Sequence, residues 1–136
     1  MFSGLAMRLL RALDAETAHR LALKALTHGL VPSDRTEDPH ALQTHLWGRA
    51  FVNPIGLAAG FDKSGVAIDE AFGLGVGFAE IGGVTPKPQA GNPRPRLFRL
   101  ASDRSVFNRM GLNNDGAEQG AARVSRRARR GSGQLA

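Results

Sequence analysis

The sequence lacks several residue types and patterns, and each absence excludes a class of structure. It has no cysteine, so neither a disulfide framework nor a thiolate metal site is available. No apolar run reaches the roughly 18 residues that a membrane-spanning helix needs, which excludes a transmembrane anchor but not attachment to a membrane surface. Arg8 and Arg11 interrupt the start too early for a secretory signal. The four histidines show no zinc-ligand spacing, so no metal site is predicted.

Positive charge is concentrated near the carboxyl end. The net charge is +6, and residues 117–136 contain five arginines and one acidic residue. A basic tail suits nucleic acid, an anionic membrane, or a solvated disordered segment. Residues 117–136 contain no aromatic side chain for base stacking, so no nucleic acid partner is expected. Residues 119–136 are predicted to be a basic, low-complexity, disordered tail.

Two amphipathic helices are predicted before residue 30. Leucines recur at helical spacing over 3–12. Asp14 then has the position of an N-cap, with Glu16 in the first turn of a helix that runs to about Thr27 and stops at Gly29. Such helices pack on a domain or lie in a bilayer interface, and the pattern leaves both open. Residues 31–41 have the composition of a linker.

The central part of the chain has the pattern of an α/β fold. Residues 42–52 predict a hairpin that turns near Gly48. Apolar strands are predicted at Ile55–Ala59 and Phe78–Val84, with a helix over 65–72 between them, and this order indicates a parallel βαβ unit. Residues 86–99, rich in proline and arginine, predict a long ordered loop, which is typical of a functional segment.

Three segments have residues that suit ligand chemistry. Ala58–Lys63 follows the first parallel strand, where small residues let a flat ring approach the backbone and a lysine attracts an anion. Glu80–Thr85 lies at the end of the second strand and contains two adjacent glycines. Asn108–Asn114 offers amide groups suited to a cyclic imide and an arginine suited to a carboxylate. Each segment also fits an ordinary turn, with Asp62 capping the next helix and Lys63 in solvent.

Taken together, the order and spacing of these segments resemble the class 2, quinone-linked dihydroorotate dehydrogenases. The resemblance rests on Asn53–Lys63, Glu80–Arg99 and Asn108–Gly116, covers residues 1–118, and is expected to end abruptly after Glu118. It implies the first strands of a (β/α)8 TIM barrel, an amino-terminal helical extension over 1–30 that binds quinone and docks on the membrane, and a first part of an FMN-binding barrel over 42–118.

The resemblance also implies roles for individual residues. The residues expected to bind FMN are Ala59, Gly60, Phe61, Asp62, Lys63 and Gly83. The residues expected to bind dihydroorotate or orotate are Lys63, Asn108, Arg109, Met110, Gly111 and Leu112. The implied reaction oxidises dihydroorotate to orotate and passes the electrons through FMN to a membrane quinone. The implied location is the cytoplasmic side of the cell membrane, as a peripheral protein.

A complete barrel of this kind needs about 250 residues, and this chain has 136. The family's general base and phosphate loops are expected to lie beyond its end, so no catalytic residue is assigned and the chain by itself is predicted to be inactive, weak in FMN binding and prone to aggregate. A reading-frame shift is one hypothesis for the arginine-rich end. The alternative function is a non-enzymatic membrane-surface module that acts through the first 30 residues.

Overall fold

The computed structural model describes residues 4–34 and 36–130. Residues 1–3 of the predicted helical extension and residues 131–136 of the predicted tail lie outside the described residues. The described elements are mixed helices and strands, in the order α1 Gly4–Ala12, α2 Ala15–Thr27, β1 Thr44–Leu46, β2 Arg49–Phe51, β3 Gly56–Leu57, α3 Ile68–Phe72, β4 Phe78–Ala79, β5 Leu97–Leu100, β6 Ser105–Asn108 and α4 Ala117–Arg130.

The two predicted amino-terminal helices are confirmed as α1 and α2. Asp14 caps α2, because its Oδ1 accepts the backbone N–H of Thr17 at 2.9 Å. At the other end, Gly29 has a φ of +66° and the N–H of Leu30 donates to the Ala25 carbonyl at 2.9 Å, the pattern of a Schellman stop. Helix α1 has no buried residue among those described, and Leu5 and Leu9 are 67% and 60% exposed.

The predicted hairpin is confirmed as β1 and β2, which pair antiparallel with Leu46 opposite Arg49. The turn consists of Trp47 and Gly48, which both have positive φ values, of 51° and 71°. Two successive positive φ values match the twist of the flanking strands. The hairpin buries Phe51, whose ring meets the edge of Phe78 at 5.9 Å between centroids.

The predicted strand–helix–strand unit is also present. Strands β3 and β4 pair in parallel, with Gly56 opposite Phe78, and α3 lies between them in the chain. Both strands are shorter than predicted. Gly56 is required at its position because the Phe78 ring occupies the space that a Cβ would need. Helix α3 begins three residues later than predicted, since Gly65 adopts a φ of +69° and residues 62–67 form a turn.

Part of the long loop predicted over 86–99 is a strand. Strand β5 pairs antiparallel with β6, with Phe98 opposite Phe107 and Arg99 opposite Val106. The two prolines just before β5 obscured this strand, because proline argues against a sheet position. The guanidinium of Arg99 donates to the carbonyl oxygens of Leu10, Arg11 and Leu13, so this hairpin is attached to the carboxyl end of α1.

The prediction of a disordered tail over 119–136 is wrong for its described part, because α4 extends from Ala117 to Arg130. Arg127 is 5% exposed, donates from Nε to Asp69 Oδ1 at 2.6 Å, and lies 4.4 Å above the Phe72 ring centroid. Low complexity misled the prediction, since alanine, arginine, glutamate and glutamine are all strong helix formers. The long arginine stems can also cover apolar surface.

Asp34 and Asp38, between the helices and the hairpin, are held by hydrogen bonds. The Asp34 N–H donates to the Gly73 carbonyl at 2.7 Å, and Asp38 accepts from the Asn53 amide at 2.6 Å. Residues His40–Leu42 form one turn of 3-10 helix. These contacts hold the segment against the end of α3. None of the described helices has the length and apolar character needed to cross a bilayer.

Candidate functional site

The carboxyl ends of β3 and β4 lie side by side. The Glu80 N–H donates to the Leu57 carbonyl at 2.9 Å, and the Ala59 N–H donates to the Glu80 carboxylate at 3.4 Å. Beyond the strands, the Gly82 N–H donates to the Asp62 carbonyl at 3.4 Å. Parallel pairing therefore brings the two glycine-containing segments, 59–63 and 80–83, to one edge of the fold, as the sequence predicted.

This edge presents a surface of small residues. Ala58, Ala59 and Gly83 are exposed. Gly60 has a φ of +105°, and no atom lies within 4 Å of the position that its Cβ would take. We call Ala58, Ala59, Gly60 and Gly83 the small-residue shelf. A flat aromatic ring can approach the backbone closely at Gly60, where no atom occupies the Cβ position.

Asp62 has a structural role in this site. The side chain is buried, its Oδ1 accepts the Val66 N–H at 2.9 Å and its Oδ2 accepts the Ala67 N–H at 2.7 Å. These two bonds fix the turn before α3. The interpretation of Asp62 as the cap of that helix is wrong, because α3 begins at Ile68, its N-cap residue is Ala67, and no side chain caps it. Because both carboxylate oxygens are used, Asp62 offers a ligand its backbone rather than its charge.

Lys63 points into a cleft of about 340 Å³ that is also lined by Phe61, Met110 and Asn113. Its Nζ donates to Asn113 Oδ1 at 3.0 Å. Burial lowers the pKa of the Lys63 amine, the positive charge of Arg96 lowers it further, and the carboxylate of Glu16 opposes both effects. Lys63 is thus a partly desolvated ammonium group in a concave site, which favours binding of an anion.

The predicted substrate loop, residues 108–112, is only partly in this cleft. Met110 is buried and lines it. Leu112 meets the small-residue shelf, because a Cβ on Gly83 would lie 3.3 Å from Leu112 Cδ2. Gly111 and Leu112 both have positive φ values, of 74° and 56°, so the loop turns sharply here.

The other two residues of this loop make internal contacts. Asn108, the last residue of β6, accepts the Met110 N–H at 3.4 Å. The Arg109 guanidinium donates to the Pro95 carbonyl, with distances of 3.3 Å from Nε and 3.1 Å from Nη2. Neither side chain lines the cleft that contains Lys63. In this arrangement Asn108 and Arg109 shape the loop.

The predicted substrate-binding residues stop at Leu112 and leave out the two asparagines that follow, although the segment Asn108–Asn114 was singled out. Asn113 holds Lys63, whereas Asn114 is buried and holds the backbone. The Thr85 N–H and the Gly116 N–H both donate to Asn114 Oδ1, at 3.2 and 2.8 Å. The adjacent pair in Asn108–Asn114 was the available signal. The sequence could not show which asparagine binds Lys63, because that depends on the path of the turn.

Sequence reasoning also missed the side of the cleft that α2 provides. His19 Nε2 lies 2.7 Å from the Phe61 carbonyl oxygen, and its ring meets the Phe61 ring edge at 5.2 Å between centroids. Glu16 binds Arg96 through two hydrogen bonds, of 3.1 and 2.8 Å. The amino-terminal helices therefore pack against the rest of the fold, through α2, at the cleft itself.

Comparison with known proteins identifies the family. The sequence profile described as dihydroorotate dehydrogenase matches residues 41–134. The chain belongs to the dihydroorotate dehydrogenase family. A curated relative named dihydroorotate dehydrogenase (quinone), from Rhodospirillum rubrum, is 59% identical over 127 residues, which are 93% of this chain and 35% of the relative. The mitochondrial relative of the same name from Oryza sativa subsp. japonica is 56% identical over 104 residues, 76% of this chain and 22% of the relative.

Solved structures agree with the sequence comparison. The ligand-free DHODH of Eimeria tenella superimposes with a TM-score of 0.82 and 41% sequence identity, over 85% of this chain and 32% of that one. A structure of the DHODH from the same organism in complex with ferulenol gives a TM-score of 0.81, again at 41% identity. The small-residue shelf and the cleft thus belong to a dihydroorotate dehydrogenase fold.

These comparisons define the extent of the likeness. The chain spans about a third of the length of most of the curated relatives that it matches, as the 35% coverage of the Rhodospirillum rubrum protein illustrates. The prediction that the likeness stops at Glu118 is wrong, because the family profile continues to residue 134. Helix α4 is therefore part of the family's pattern, which removes the motive for the frame-shift hypothesis.

Proposed function

We propose that these residues form the substrate and flavin-ring side of a quinone-linked dihydroorotate dehydrogenase that functions in pyrimidine synthesis. Support comes from family membership, from relatives named dihydroorotate dehydrogenase (quinone), and from the placement of Lys63 beside the small-residue shelf. The observation that carries the proposal is the Lys63–Asn113 pair, in which a partly desolvated amine is held at 3.0 Å from an amide oxygen. In this proposal the chain forms the first strands of a (β/α)8 barrel with α1 and α2 as its helical extension.

The small-residue shelf fits FMN. Ala59, Gly60 and Gly83 would lie against the isoalloxazine ring, with Phe61 and Asp62 contributing backbone at the turn above it. The open space at Gly60 and the exposure of Ala59 and Gly83 support this fit. When bound, FMN supplies the hydride acceptor for oxidation of dihydroorotate and a route for the electrons to a quinone.

Lys63 and Asn113 would bind the substrate, and residues 108–112 would form the loop that shapes the site around it. The Lys63 ammonium group attracts orotate, an anion, and the Asn113 amide fixes the direction of the Lys63 N–H bonds. Met110 lines the cleft beside them, and Leu112, at the end of the loop, lies against Gly83 of the shelf. These groups bind and orient the ring, and we assign none of them as the general base.

Helix α1 would dock on a membrane. Leu5 and Leu9 are exposed, at 67% and 60%, while Arg8 and Arg11 are exposed on the same short helix. Each basic residue near an anionic surface contributes about 1 kcal/mol of attraction. This arrangement supports peripheral attachment to the cytoplasmic side of the cell membrane, where a quinone is within reach.

A chimera tests the proposed function. In it, the 127 residues of this chain that match the Rhodospirillum rubrum relative, at 59% identity, replace the corresponding third of that protein. We expect the purified chimera to retain flavin absorbance and to reduce a ubiquinone analogue when dihydroorotate is added, and Lys63→Met to abolish this activity. A flavin-loaded chimera that is inactive toward dihydroorotate would contradict the proposal. The 136 residues by themselves are expected to retain little flavin, because the apolar residues Ile55 before β3 and Val84 after β4 are 63% and 40% exposed, so the two parallel strands are not covered as they would be in a closed barrel.

A further inference from the structure

The cleft that contains Lys63 has one wall made by the amino-terminal helices. Helix α2 presents Glu16, His19 and Arg20 to the cleft, and the loops present Asp62, Arg94, Arg96 and Asp115. Asp62 is committed to backbone amides, and Asp115 pairs with Arg123 at 2.7 Å. Among the acidic residues of the cleft, this leaves Glu16 of α2, whose carboxylate pairs with Arg96 and acts on the charge of Lys63.

Glu16 and Arg96 form a buried, doubly hydrogen-bonded pair between elements that are 80 residues apart in sequence. The side chains are 8% and 5% exposed. Arg94 adds a second cation, with Nη2 at 2.9 Å from Glu16 Oε1, but 56% of its side chain is exposed. A buried carboxylate with two arginines is a costly arrangement, and its location in the cleft invites a functional explanation.

Arg96 also fixes the loop that holds Met110. Its Nη1 donates to the carbonyl oxygens of Ala90 and Asn92, at 2.6 and 3.0 Å. The Asn92 N–H donates to the Met110 carbonyl at 3.0 Å, and its side-chain amide donates to the Arg109 carbonyl at 2.7 Å. A continuous series of hydrogen bonds thus connects Glu16 on α2 to the loop that lines the cleft.

We propose that Glu16 is a positioning residue for the anion site: by neutralising and orienting Arg96, it lets the amino-terminal helices set the charge around Lys63 and the position of the Met110 loop. The proposal rests on the proposed function for the identity of the anion, but the coupling itself concerns Lys63, Arg96 and Glu16 alone. The helices are then part of the substrate side of the enzyme as well as its membrane attachment.

The electrostatics around Lys63 give this coupling a direction. Arg96 lowers the pKa of Lys63 and Glu16 raises it. Removing the Glu16 charge leaves Arg96 uncompensated beside Lys63, so the pKa of the amine should fall. Removing both charges should bring it back toward the wild-type value, because the two effects oppose each other.

The chain has three lysines, Lys24, Lys63 and Lys87, so each amine can be followed separately. Trace acetylation across a pH series, read by mass spectrometry on the full chain, gives a labelling midpoint for every lysine. In Glu16→Gln we expect the Lys63 midpoint to move to lower pH, while the midpoints of Lys24 and Lys87 stay unchanged. Glu16→Asp, which retains the charge, should bring the Lys63 midpoint back toward wild type. Glu37→Gln, the same substitution at an exposed carboxylate, is the matched control and should have no effect.

A Lys63 midpoint that is unchanged or moves upward in a folded Glu16→Gln protein would overturn the proposal. If that variant does not fold, Glu16→Gln/Arg96→Met decides, since it leaves no unpaired buried charge. We expect its Lys63 midpoint below that of Arg96→Met, which keeps the Glu16 charge, and equal midpoints in these two variants would sink the coupling. Because this readout needs neither FMN nor orotate, its failure is distinguishable from failure of the enzyme assignment, which the chimera tests.

Discussion

The Nζ atom of Lys63 donates to Oδ1 of Asn113 at 3.0 Å across a sequence separation of 50 residues. This bond joins the turn after β3 to the turn after β6. A lysine has four rotatable side-chain bonds and loses much entropy when it is held in place, so the asparagine pre-orients the amine before any anion arrives. The pair is the most direct structural support for the anion site.

Replacing Lys63 tests that site. In the chimera, we expect Lys63→Met to weaken orotate binding by at least about tenfold, since a charge-assisted hydrogen bond contributes about 1.5–3 kcal/mol and 1.4 kcal/mol corresponds to a factor of ten. Calorimetric titration with orotate measures this. Lys87→Met, at an exposed lysine, is the matched control. Equal losses in the two variants would show that general positive charge, and not Lys63, attracts the anion.

Substitution of Asp62 is expected to lower the stability of the fold, because its carboxylate binds backbone amides and not a ligand. Its carboxylate is buried and accepts the N–H groups of Val66 and Ala67, so we expect Asp62→Ala to lower the unfolding free energy by about 2 kcal/mol or more. Asp62→Asn, which keeps one acceptor oxygen, should lose less. Urea unfolding measures both, with the exposed Asp103→Ala as control. An Asp62→Ala protein as stable as the control would mean that the turn forms without the carboxylate.

Glu16 predicts a specific dependence of stability on pH. Hydrogen bonding and charge from Arg96 lower the pKa of Glu16 below its usual 4.5. A lowered folded-state pKa stabilises the fold above the unfolded value, and this contribution disappears as pH falls below about 4.5 toward the folded-state pKa. Unfolding free energies at several pH values should therefore fall more steeply for wild type than for Glu16→Gln. Parallel curves for the two proteins would contradict the prediction.

Arg127 should anchor α4. Because its side chain is 5% exposed and contacts both Asp69 and the Phe72 ring, we expect Arg127→Ala to destabilise the fold by about 1–3 kcal/mol. Arg127→Lys should recover little, since lysine lacks the planar group that stacks on the ring. The neighbouring Arg126 is exposed, and Arg126→Ala is the matched control in thermal unfolding. Identical melting temperatures for the two alanine variants would place α4 outside the cooperative fold.

Leu9 tests the proposed membrane surface. We expect Leu9→Gln to reduce co-sedimentation with anionic vesicles by about tenfold, because burying a leucine contributes about 1.5–3 kcal/mol. Leu46 has comparable exposure, at 48% against 60% for Leu9, but lies on the β1–β2 hairpin, so Leu46→Gln should leave vesicle binding unchanged. Loss of binding in both variants would indicate nonspecific adhesion of exposed apolar residues.

The sequence predicted elements whose signals are local. Asp14, Gly29 and Gly48 are placed as expected, because capping and turn residues act over three or four positions. The parallel pairing of the two strands was also predicted. Because the carboxyl ends of parallel strands lie at one edge, this pairing brings Ala59 next to Glu80. The shelf could be inferred this way without knowledge of the tertiary structure.

Long-range contacts could not be predicted in the same way. Composition suggested that the arginines after Glu118 were solvated. Arg127 is nevertheless buried, because its guanidinium stacks on the Phe72 ring and donates a hydrogen bond to Asp69. Likewise, no local signal distinguishes Asn113, which faces Lys63, from Asn114, which holds the backbone. In both cases, the role of the residue depends on a partner that is distant in sequence.

The 80-residue separation of Glu16 and Arg96 has a consequence for biosynthesis. Helix α2 leaves the ribosome well before its docking partner exists, by roughly 4–16 s at about 5–20 residues per second. During that interval the protein surface against which α2 packs has not yet been synthesised. A nearby bilayer is then the apolar surface that the leucines of α1 and α2 can contact. With the proposed membrane attachment, the nascent protein reaches the bilayer before the proposed anion site has been assembled.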